Sequence, residues 1–244
     1  MKKEIYLFDD ITALAGRLAG DFKKALEDKA ASGGSLLVAL SGGHTPKAFF
    51  EVLASPPYGD TLPWDKVVFF WGDERCVPPD NDESNFKMTN LSLLSHIKIP
   101  AANIHRVLGE NPPEEEAVRY ANEIKDNVPS GGSGFPVFDW IFLGMGEDGH
   151  TASLFPGAPT LKEREKICVV ATHPQTGQKR VSVTFPVLDS GKRVSFLVAG
   201  EGKEAVLKEI LENPGRELPC PASMVSPSDG VLEWYVDRLA APWL

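Results

Sequence analysis

The chain has 244 residues, of which 42% are hydrophobic and 24% charged, a composition typical of a soluble globular protein with a sizeable core. It carries 25 basic and 34 acidic residues, and the net charge of −9 argues against nucleic acid or an anionic membrane as the main partner. No apolar run approaches the roughly 20 residues of a membrane helix, and the three cysteines fit neither a zinc site nor a disulfide framework. We therefore expect one cytoplasmic domain over residues 1–244.

Predicted strands and helices alternate along the first half of the chain. The strands are short apolar runs, and the helices have apolar residues at helical spacing behind a polar or proline start. In chain order these elements are a strand at 4–8, a helix from Asp9 or Asp10 to about 29, a strand at 36–40, a helix with Pro46 in its first turn, a strand at 67–71, an irregular stretch at 77–83, and helices opened by Ser84-Asn85 and by Pro112-Pro113.

Strands predominate in the second half of the chain. In order, we predict strands at 138–143, 167–171, 180–185 and 193–199, a helix at 202–211 with Lys203 in its first turn, a proline-rich loop at 214–227, and a last edge strand at 231–236. The alternation of strands and helices indicates an α/β fold with a mainly parallel, Rossmann-like sheet, helices on both faces and a small antiparallel extension.

Residues 138–157 are the most informative stretch of the sequence. A nearly continuous apolar strand runs into a turn that contains three glycines, together with Asp148 and His150. The turn places a histidine at the carboxyl end of the sheet, where open α/β folds bind their ligands. At neutral pH a histidine is the natural general acid or base, and either Asp148 or Asp73 could fix its tautomer through a hydrogen bond.

A second turn of this kind, Ser41-Gly42-Gly43-His44-Thr45, lies between a buried strand and a helix. Its glycines let backbone N–H groups point at an anion, and the helix N-terminus adds partial positive charge. The turn lacks the Gly-Lys-Ser/Thr ending of a nucleotide-binding P-loop. We interpret Ser41, Gly42, Gly43 and Thr45 as an anion-binding loop, and a plain strand-to-helix turn is the alternative.

Three basic residues follow or lie in other predicted strands: Arg75, Arg180 and Lys203. If the strand ends converge on one edge of the sheet, they bring three cations together in an otherwise acidic protein, as a dianionic phosphate requires. The sequence has no Gly-x-Ser-x-Gly elbow of a serine hydrolase, and its five histidines form no short metal-ligand pair. The residues alone therefore predict a site for a sugar-phosphate-sized anion beside a histidine base, without a metal or cofactor.

Several strings of the sequence resemble the glucosamine-6-phosphate isomerase/6-phosphogluconolactonase family, and the resemblance covers nearly the whole chain. They are Leu40-Ser41-Gly42-Gly43-His44-Thr45-Pro46, Trp71-Gly72-Asp73-Glu74-Arg75-Cys76-Val77-Pro78, Ser84-Asn85, the run from Gly144 to Gly157, and Ala199-Gly200 with Lys203. The Gly-x-Asp-Gly-His-Thr-Ala-Ser-Leu-Phe-Pro string is specific to the lactonase branch. In the isomerase/deaminase branch the histidine is usually followed by Ile-Ala-Phe-Asn-Glu-Pro.

The resemblance implies metal-free hydrolysis of 6-phospho-D-glucono-1,5-lactone in the oxidative pentose phosphate pathway. It implies that the phosphate binds the Ser41 to Thr45 loop with Lys203 and an arginine, and that His150 activates water. It leaves open which of Arg75 and Arg180 contacts the phosphate and which stabilises the oxyanion. An amino-sugar-phosphate isomerase or deaminase and a non-catalytic sugar-phosphate sensor are the alternatives, and the protein is expected to be a monomer or a homodimer.

Overall fold

The structure, a computed structural model, describes residues 2–213 and 218–244 of the chain. The strands of the described residues form one large and one small sheet. In chain order they are β1 (Lys2–Phe8), β2 (Leu36–Leu40), β3 (Val67–Trp71), β4 (Asp73–Arg75), β5 (Ile104–His105), β6 (Trp140–Leu143), β7 (Cys168–Thr172), β8 (Lys179–Val183), β9 (Arg193–Val198) and β10 (Val231–Asp237).

The helices of the described residues lie mainly between these strands. In chain order they are α1 (Ile11–Ala31), α2 (His44–Ala54), α3 (Tyr58–Thr61), α4 (Asn85–Ser92), α5 (Pro113–Asn127), α6 (Phe185–Asp189), α7 (Glu204–Glu212) and α8 (Pro221–Met224). Single turns of 3₁₀ helix occupy Trp64–Lys66, Leu94–His96, Ala101–Asn103 and Pro159–Lys162. Within the described part of the chain, each helix is too short or too polar to span a lipid bilayer.

The large sheet has seven strands in the order β1-β10-β9-β6-β2-β3-β5, and every recorded pairing in it is parallel. From β2 the chain winds outward through β3 and β5, and then returns to the other side of β2 as β6 before it continues to β9 and β10. All four residues of β6 are buried, so both faces of the sheet are covered at its centre. The predicted α/β fold with a mainly parallel sheet is confirmed.

Helix α1 shows how the local sequence determines packing against this sheet. The Asp10 side chain accepts a hydrogen bond from the Ala13 N–H at 2.8 Å and so caps the first turn. Leu14, Leu18 and Phe22 follow at intervals of four residues and are fully buried. The Phe22 ring lies 6.2 Å from that of Trp140 in β6, which joins the helix to the middle of the sheet.

The small sheet is antiparallel, with the order β4-β8-β7. In the β4–β8 pair Arg75 lies directly opposite Arg180. The neighbouring bond from the Cys76 N–H to the Lys179 carbonyl, at 2.9 Å, makes Arg75 and Arg180 a non-hydrogen-bonded pair. Side chains are closest in such pairs, and like charges there are destabilising. The small sheet therefore holds two guanidinium groups close together at a cost in stability.

Three predicted elements need correction. The strand predicted at 231–236 is not an edge strand, because β10 lies between β1 and β9 inside the large sheet. The helix predicted at 202–211 begins after Lys203, which precedes its first residue. The strand predicted at 180–185 ends at Val183 and belongs to the small sheet. Of the predicted loop at 214–227, residues 214–217 lie outside the described part, and 221–224 form α8.

The carboxylate of Asp139 joins three segments at the opposite end of β6 from its glycine-rich turn. It accepts hydrogen bonds from Lys29 Nζ at 2.9 Å, Lys192 Nζ at 2.8 Å and the Leu37 N–H at 3.1 Å. Burial alone would raise the pKa of Asp139, but the bonds from Lys192 and Lys29 outweigh it and hold the pKa below its usual value.

We expect Asp139→Asn to lower the free energy of unfolding at pH 7 by about 1 to 2 kcal/mol, because charged hydrogen bonds are lost. A lowered folded pKa contributes stability above the unfolded value of about 3.9, and that contribution disappears as the pH falls through the folded pKa. Urea denaturation from pH 7 to pH 2.5 should therefore show that the free energies of unfolding of the wild type and of Asp139→Asn converge at low pH. Asp126→Asn, at an exposed position of α5, is the control, and a difference independent of pH would contradict this account.

Candidate active site

The two loops that define the candidate active site follow β2 and β6. These strands are adjacent, and the chain winds away from them in opposite directions. A crevice forms at the carboxyl ends of such strands in parallel α/β sheets. Ser41 directly follows β2 and Gly144 directly follows β6, and the Gly144 N–H donates to Ser41 Oγ at 3.3 Å. The cleft here has a volume of about 160 Å³.

All but one of the residues predicted for the site line this cleft. They are Ser41, Gly42, Gly43, Thr45, Asp73, Arg75, His150, Arg180 and Lys203. The exception is Asp148, which contacts the cleft through His150. The residues converge, but not by the predicted route, because only some of them follow strands of the large sheet. Arg75 and Arg180 are brought to the cleft by the small antiparallel sheet.

Residues 41–45 form a tight connection from β2 to α2. Gly43 has a φ of 106° immediately before the helix, a conformation that glycine adopts without strain. Among the described residues no side chain caps α2, so the N–H groups of its first turn are available to a ligand. Together with the partial positive charge of the helix N-terminus, this geometry suits an anion.

Gly42 cannot be replaced by a larger residue without a clash, because it lies against the buried side chain of Asn85. A Cβ at Gly42 would lie 1.9 Å from Asn85 Oδ1. The Asn85 Nδ2 donates to the carbonyl of Asp73 at 3.0 Å, so the amide joins the anion loop to β4. The glycine therefore permits a close approach between two separate parts of the site.

The position of Asn85 is fixed by the buried carboxylate of Glu74. Its oxygens accept from the N–H groups of Arg75, Asn85 and Phe86, each at 2.8 Å, and from Ser84 Oγ at 3.0 Å. One carboxylate thus serves both the start of α4 and the backbone beside Arg75. Glu74 was not among the predicted site residues, although Ser84-Asn85 was among the strings that carried the family resemblance.

His150 and Asp148 form a pair at the edge of the cleft. The distance from His150 Nδ1 to Asp148 Oδ1 is 2.6 Å, and the same oxygen accepts the His150 N–H at 3.1 Å. Burial would raise the pKa of Asp148, but these bonds outweigh it and lower the pKa, so the carboxylate is charged at neutral pH. A charged Asp148 requires the proton on Nδ1, which leaves Nε2 as the acceptor of a neutral imidazole.

Asp73 does not contact the imidazole. Its Oδ2 accepts from Ser153 Oγ at 2.6 Å, and the side chain is buried beside the cleft. Of the two acids that the sequence offered as partners for His150, the structure places only Asp148 against the ring. Ser153 was not among the predicted site residues, although it lies in the string shared with the lactonase branch.

The three basic residues of the cleft have no carboxylate partner within residues 2–213 and 218–244. Among the described residues, Arg75, Arg180 and Lys203 form no ion pair at a limit of 4.0 Å between nitrogen and oxygen. Arg75 Nε is buried, and no group in the described part of the chain forms a hydrogen bond with it. Burial lowers the pKa of Arg180, with a further contribution from Arg75, and burial also lowers the pKa of Lys203. This uncompensated charge is what an anionic ligand would neutralise.

Metal ligation has no support in this region of the molecule. Across residues 2–213 and 218–244, no group of three or more histidine, cysteine, aspartate or glutamate side chains is arranged to hold a metal ion. The fold and the cleft together define the chain as an α/β protein whose cleft places three basic side chains beside a carboxylate–histidine pair.

Comparison with known sequences identifies the group of proteins within that class. The model of the family described as "Glucosamine-6-phosphate isomerases/6-phosphogluconolactonase" matches residues 9–234, and the chain belongs to this family. A 6-phosphogluconolactonase of Haemophilus influenzae is 46% identical over 203 residues, which cover 83% of this chain and 85% of the relative. A 6-phosphogluconolactonase of Nostoc sp. is 36% identical over 241 residues, which cover 98% of each chain.

A solved structure supports the same assignment. The 6-phosphogluconolactonase from Trypanosoma brucei is 26% identical in sequence and superposes with a TM-score of 0.88, over 100% of this chain and 99% of the other. The predicted family and fold are both confirmed.

We expect Gly42→Ala to disrupt the site, because its methyl group would displace the Asn85 amide. Overpacking of this kind costs about 1 to 3 kcal/mol, so urea denaturation should show a loss of that size together with weaker binding of inorganic phosphate. Gly132→Ala is the matched control, since a Cβ there has nothing within 4 Å. Wild-type stability and phosphate affinity in Gly42→Ala would contradict the close packing that we describe.

Proposed function

We propose that this protein hydrolyses 6-phospho-D-glucono-1,5-lactone to 6-phosphogluconate, a step of the oxidative pentose phosphate pathway. The observation that carries the proposal is the cleft itself, in which a carboxylate-paired imidazole lies with three cations that form no ion pair with the carboxylates that the structure describes. Membership of the family and the names of the most similar relatives support the same reaction.

In this proposal the phosphate of the lactone binds the loop of Ser41, Gly42, Gly43 and Thr45, together with Arg180 and Lys203. The loop offers backbone N–H groups and two hydroxyls, and the two cations form no ion pair with a carboxylate of the described residues. The phosphate is remote from the bond that breaks. Its binding energy therefore serves to hold the lactone carbonyl in a fixed orientation.

His150 acts as the general base. Its Nε2 takes a proton from water while the water oxygen bonds to the lactone carbonyl carbon, giving a tetrahedral intermediate. When that intermediate collapses, the bond from carbon to the ring oxygen breaks, and the imidazolium returns the proton to this oxygen, which becomes a hydroxyl. Asp148 holds the ring in the required tautomer and stabilises the imidazolium.

The remaining residues of the cleft stabilise and orient the reacting group. Arg75 has a buried Nε that no described residue engages. We assign it to the oxyanion of the intermediate, with the backbone N–H groups of the anion loop as the alternative. A well-placed donor of this kind contributes about 3 to 4 kcal/mol. Asp73, held by Ser153, supplies a buried acceptor for a substrate hydroxyl or the attacking water.

The two alternatives are disfavoured by particular residues. The acid that the isomerase/deaminase branch uses after its histidine is absent, since residues 151–156 read Thr-Ala-Ser-Leu-Phe-Pro. Here Thr151 Oγ1 donates to the Gly144 carbonyl at 2.8 Å, a bond within the turn. A non-catalytic sensor would not need the bonded His150–Asp148 pair. Ammonia release from glucosamine 6-phosphate is the assay that separates the first alternative from lactone hydrolysis.

The same proposal includes the form of the protein. We infer a single domain over residues 1–244 that acts on a small molecule and not on nucleic acid, since the net charge is −9. A cytoplasmic location is consistent with three free cysteines, Cys76, Cys168 and Cys220. We propose a monomer or homodimer that needs no cofactor, and light scattering of the purified protein tests the oligomeric state.

We expect His150→Ala to lower kcat about 10²- to 10⁴-fold, the usual contribution of a general base. Binding of 6-phosphogluconate should change little, because the phosphate contacts remain. Lactone hydrolysis is measured against the spontaneous rate at each pH, and product binding by calorimetry. His96→Ala, at an exposed histidine outside the cleft, is the control. Unchanged turnover in His150→Ala would remove this residue from the mechanism.

Asp148→Asn should lower kcat by about 10²-fold or more, since an amide can hold the wrong imidazole tautomer, as in serine proteases. KM should stay near the wild-type value, because Asp148 makes no contact with the anion loop or the three cations among the described contacts. Steady-state kinetics of this variant and of Asp229→Asn, at an exposed position, make the comparison. Equal kcat values in both variants would contradict the assigned role.

A further inference from the structure

Gln178, in the turn that connects β7 to β8, lies between Arg180 and Glu83. Its Oε1 accepts from Arg180 Nε at 3.2 Å, and its Nε2 donates to Glu83 Oε2 at 3.0 Å. This orientation of the amide is dictated by its partners, because a guanidinium only donates and a carboxylate only accepts. One neutral side chain therefore separates a cation of the cleft from a nearby carboxylate.

The position that Gln178 occupies is one where a carboxylate would ordinarily be expected. Arg180 is only 9% exposed, and it lies directly opposite Arg75 in the antiparallel pair. A buried guanidinium next to another is usually paired with an acid. Burial and Arg75 lower the pKa of Arg180, while Asp73 and Glu83 act in the opposite direction without contacting it.

Glu83 is also connected to the second guanidinium, but through its backbone. The Glu83 carbonyl accepts from Arg75 Nη1, while the Glu83 carboxylate is held by Gln178. Both arginines are thus fixed by neutral acceptors, a carbonyl and an amide. Gln178 occupies the Nε edge of Arg180. The guanidinium carbon of Arg180 also lies 5.5 Å from the centroid of the Phe155 ring, a second contact that restricts the side chain.

We propose that Gln178 is a positioning residue for phosphate recognition, which orients Arg180 through an uncharged bond and so leaves its full charge to the phosphate of the substrate. The inference rests on the proposed function for the identity of that substrate. Because Gln178 leaves the charge of Arg180 to the ligand, we expect the cleft to bind a phosphate monoester more tightly than the dephosphorylated form of the same molecule.

Gln178→Glu tests the proposal, because it changes an amide to a carboxylate of the same shape. The new carboxylate would pair with Arg180 and compete with the ligand, so the Kd for inorganic phosphate and the KM for the lactone should rise about tenfold or more. We expect kcat to stay within about twofold, since Arg180 binds a group remote from the reacting bond. Gln175→Glu makes the same charge change at an exposed position of the same turn, and its phosphate affinity should match the wild type.

The double variant Glu83→Gln with Gln178→Glu separates the local effect from net charge and from folding. It has the same net charge as the wild type, and the amide at position 83 can still donate to the carboxylate at position 178. Repulsion between two acids is absent, so this variant carries the test if Gln178→Glu alone does not fold. Its phosphate affinity should still fall about tenfold, because the carboxylate now contacts Arg180.

Calorimetric titration with inorganic phosphate distinguishes the outcomes. Wild-type affinity in the double variant would overturn the proposal, and so would a loss of kcat with unchanged phosphate affinity, which would place Arg180 at the reacting carbonyl. Equal losses in Gln175→Glu would reduce the effect to general charge and would also overturn it. If the wild-type protein binds phosphate but does not accelerate lactone hydrolysis, the proposed function fails while the role of Gln178 is still tested.

Discussion

The hydrogen bond from the Gly144 N–H to Ser41 Oγ connects the two loops on which the rest of the site depends. It crosses from β6 to β2, between which the direction of winding changes, and Thr151 Oγ1 returns to the Gly144 carbonyl from beyond the histidine turn. Parallel strands cannot be joined by tight hairpins, so residues distant in sequence meet only where their loops share the carboxyl edge of the sheet. The pairing of β2 with β6 brings the anion loop and the turn of His150 to one cleft, and this contact joins them there.

Basic side chains are paired with a carboxylate at one end of β6 but not at the other. At the opposite end of β6, Asp139 compensates both Lys29 and Lys192, and the result is a stable connection between segments. At the cleft, Arg75, Arg180 and Lys203 lie in a protein of net charge −9 and yet form no ion pair with the described carboxylates. Because acids are abundant in the chain, their absence from these three positions is informative. A ligand that carries two negative charges would complete the electrostatics that the fold leaves open.

Local features of the sequence predicted most of the strands and helices and most of the residues that line the cleft, because a buried apolar run that ends in a glycine turn is recognisable without tertiary information. The order of strands was not recognisable in this way. Residues 231–236 were predicted as an edge strand, but they lie inside the sheet, where the Glu233 carboxylate is buried against Arg193 and Ser195. The convergence of Arg75 and Arg180 depends on an antiparallel pairing between residues about a hundred positions apart. Gln178 had no signal in the sequence, since its meaning comes only from its two partners.

Whether a basic group of the cleft has a charged or a neutral partner corresponds to whether its own charge would change during turnover. His150 would gain a proton during the reaction, and its partner is the charged carboxylate of Asp148, which stabilises an imidazolium as it forms. Arg180 would keep a constant charge and bind a constant anion, and its partner is the neutral amide of Gln178. A carboxylate as the partner of Arg180 would weaken the substrate complex. An amide as the partner of His150 would fail to stabilise the imidazolium. Under the proposed function, the aspartate beside His150 therefore serves catalysis, and the glutamine beside Arg180 serves binding of the phosphate.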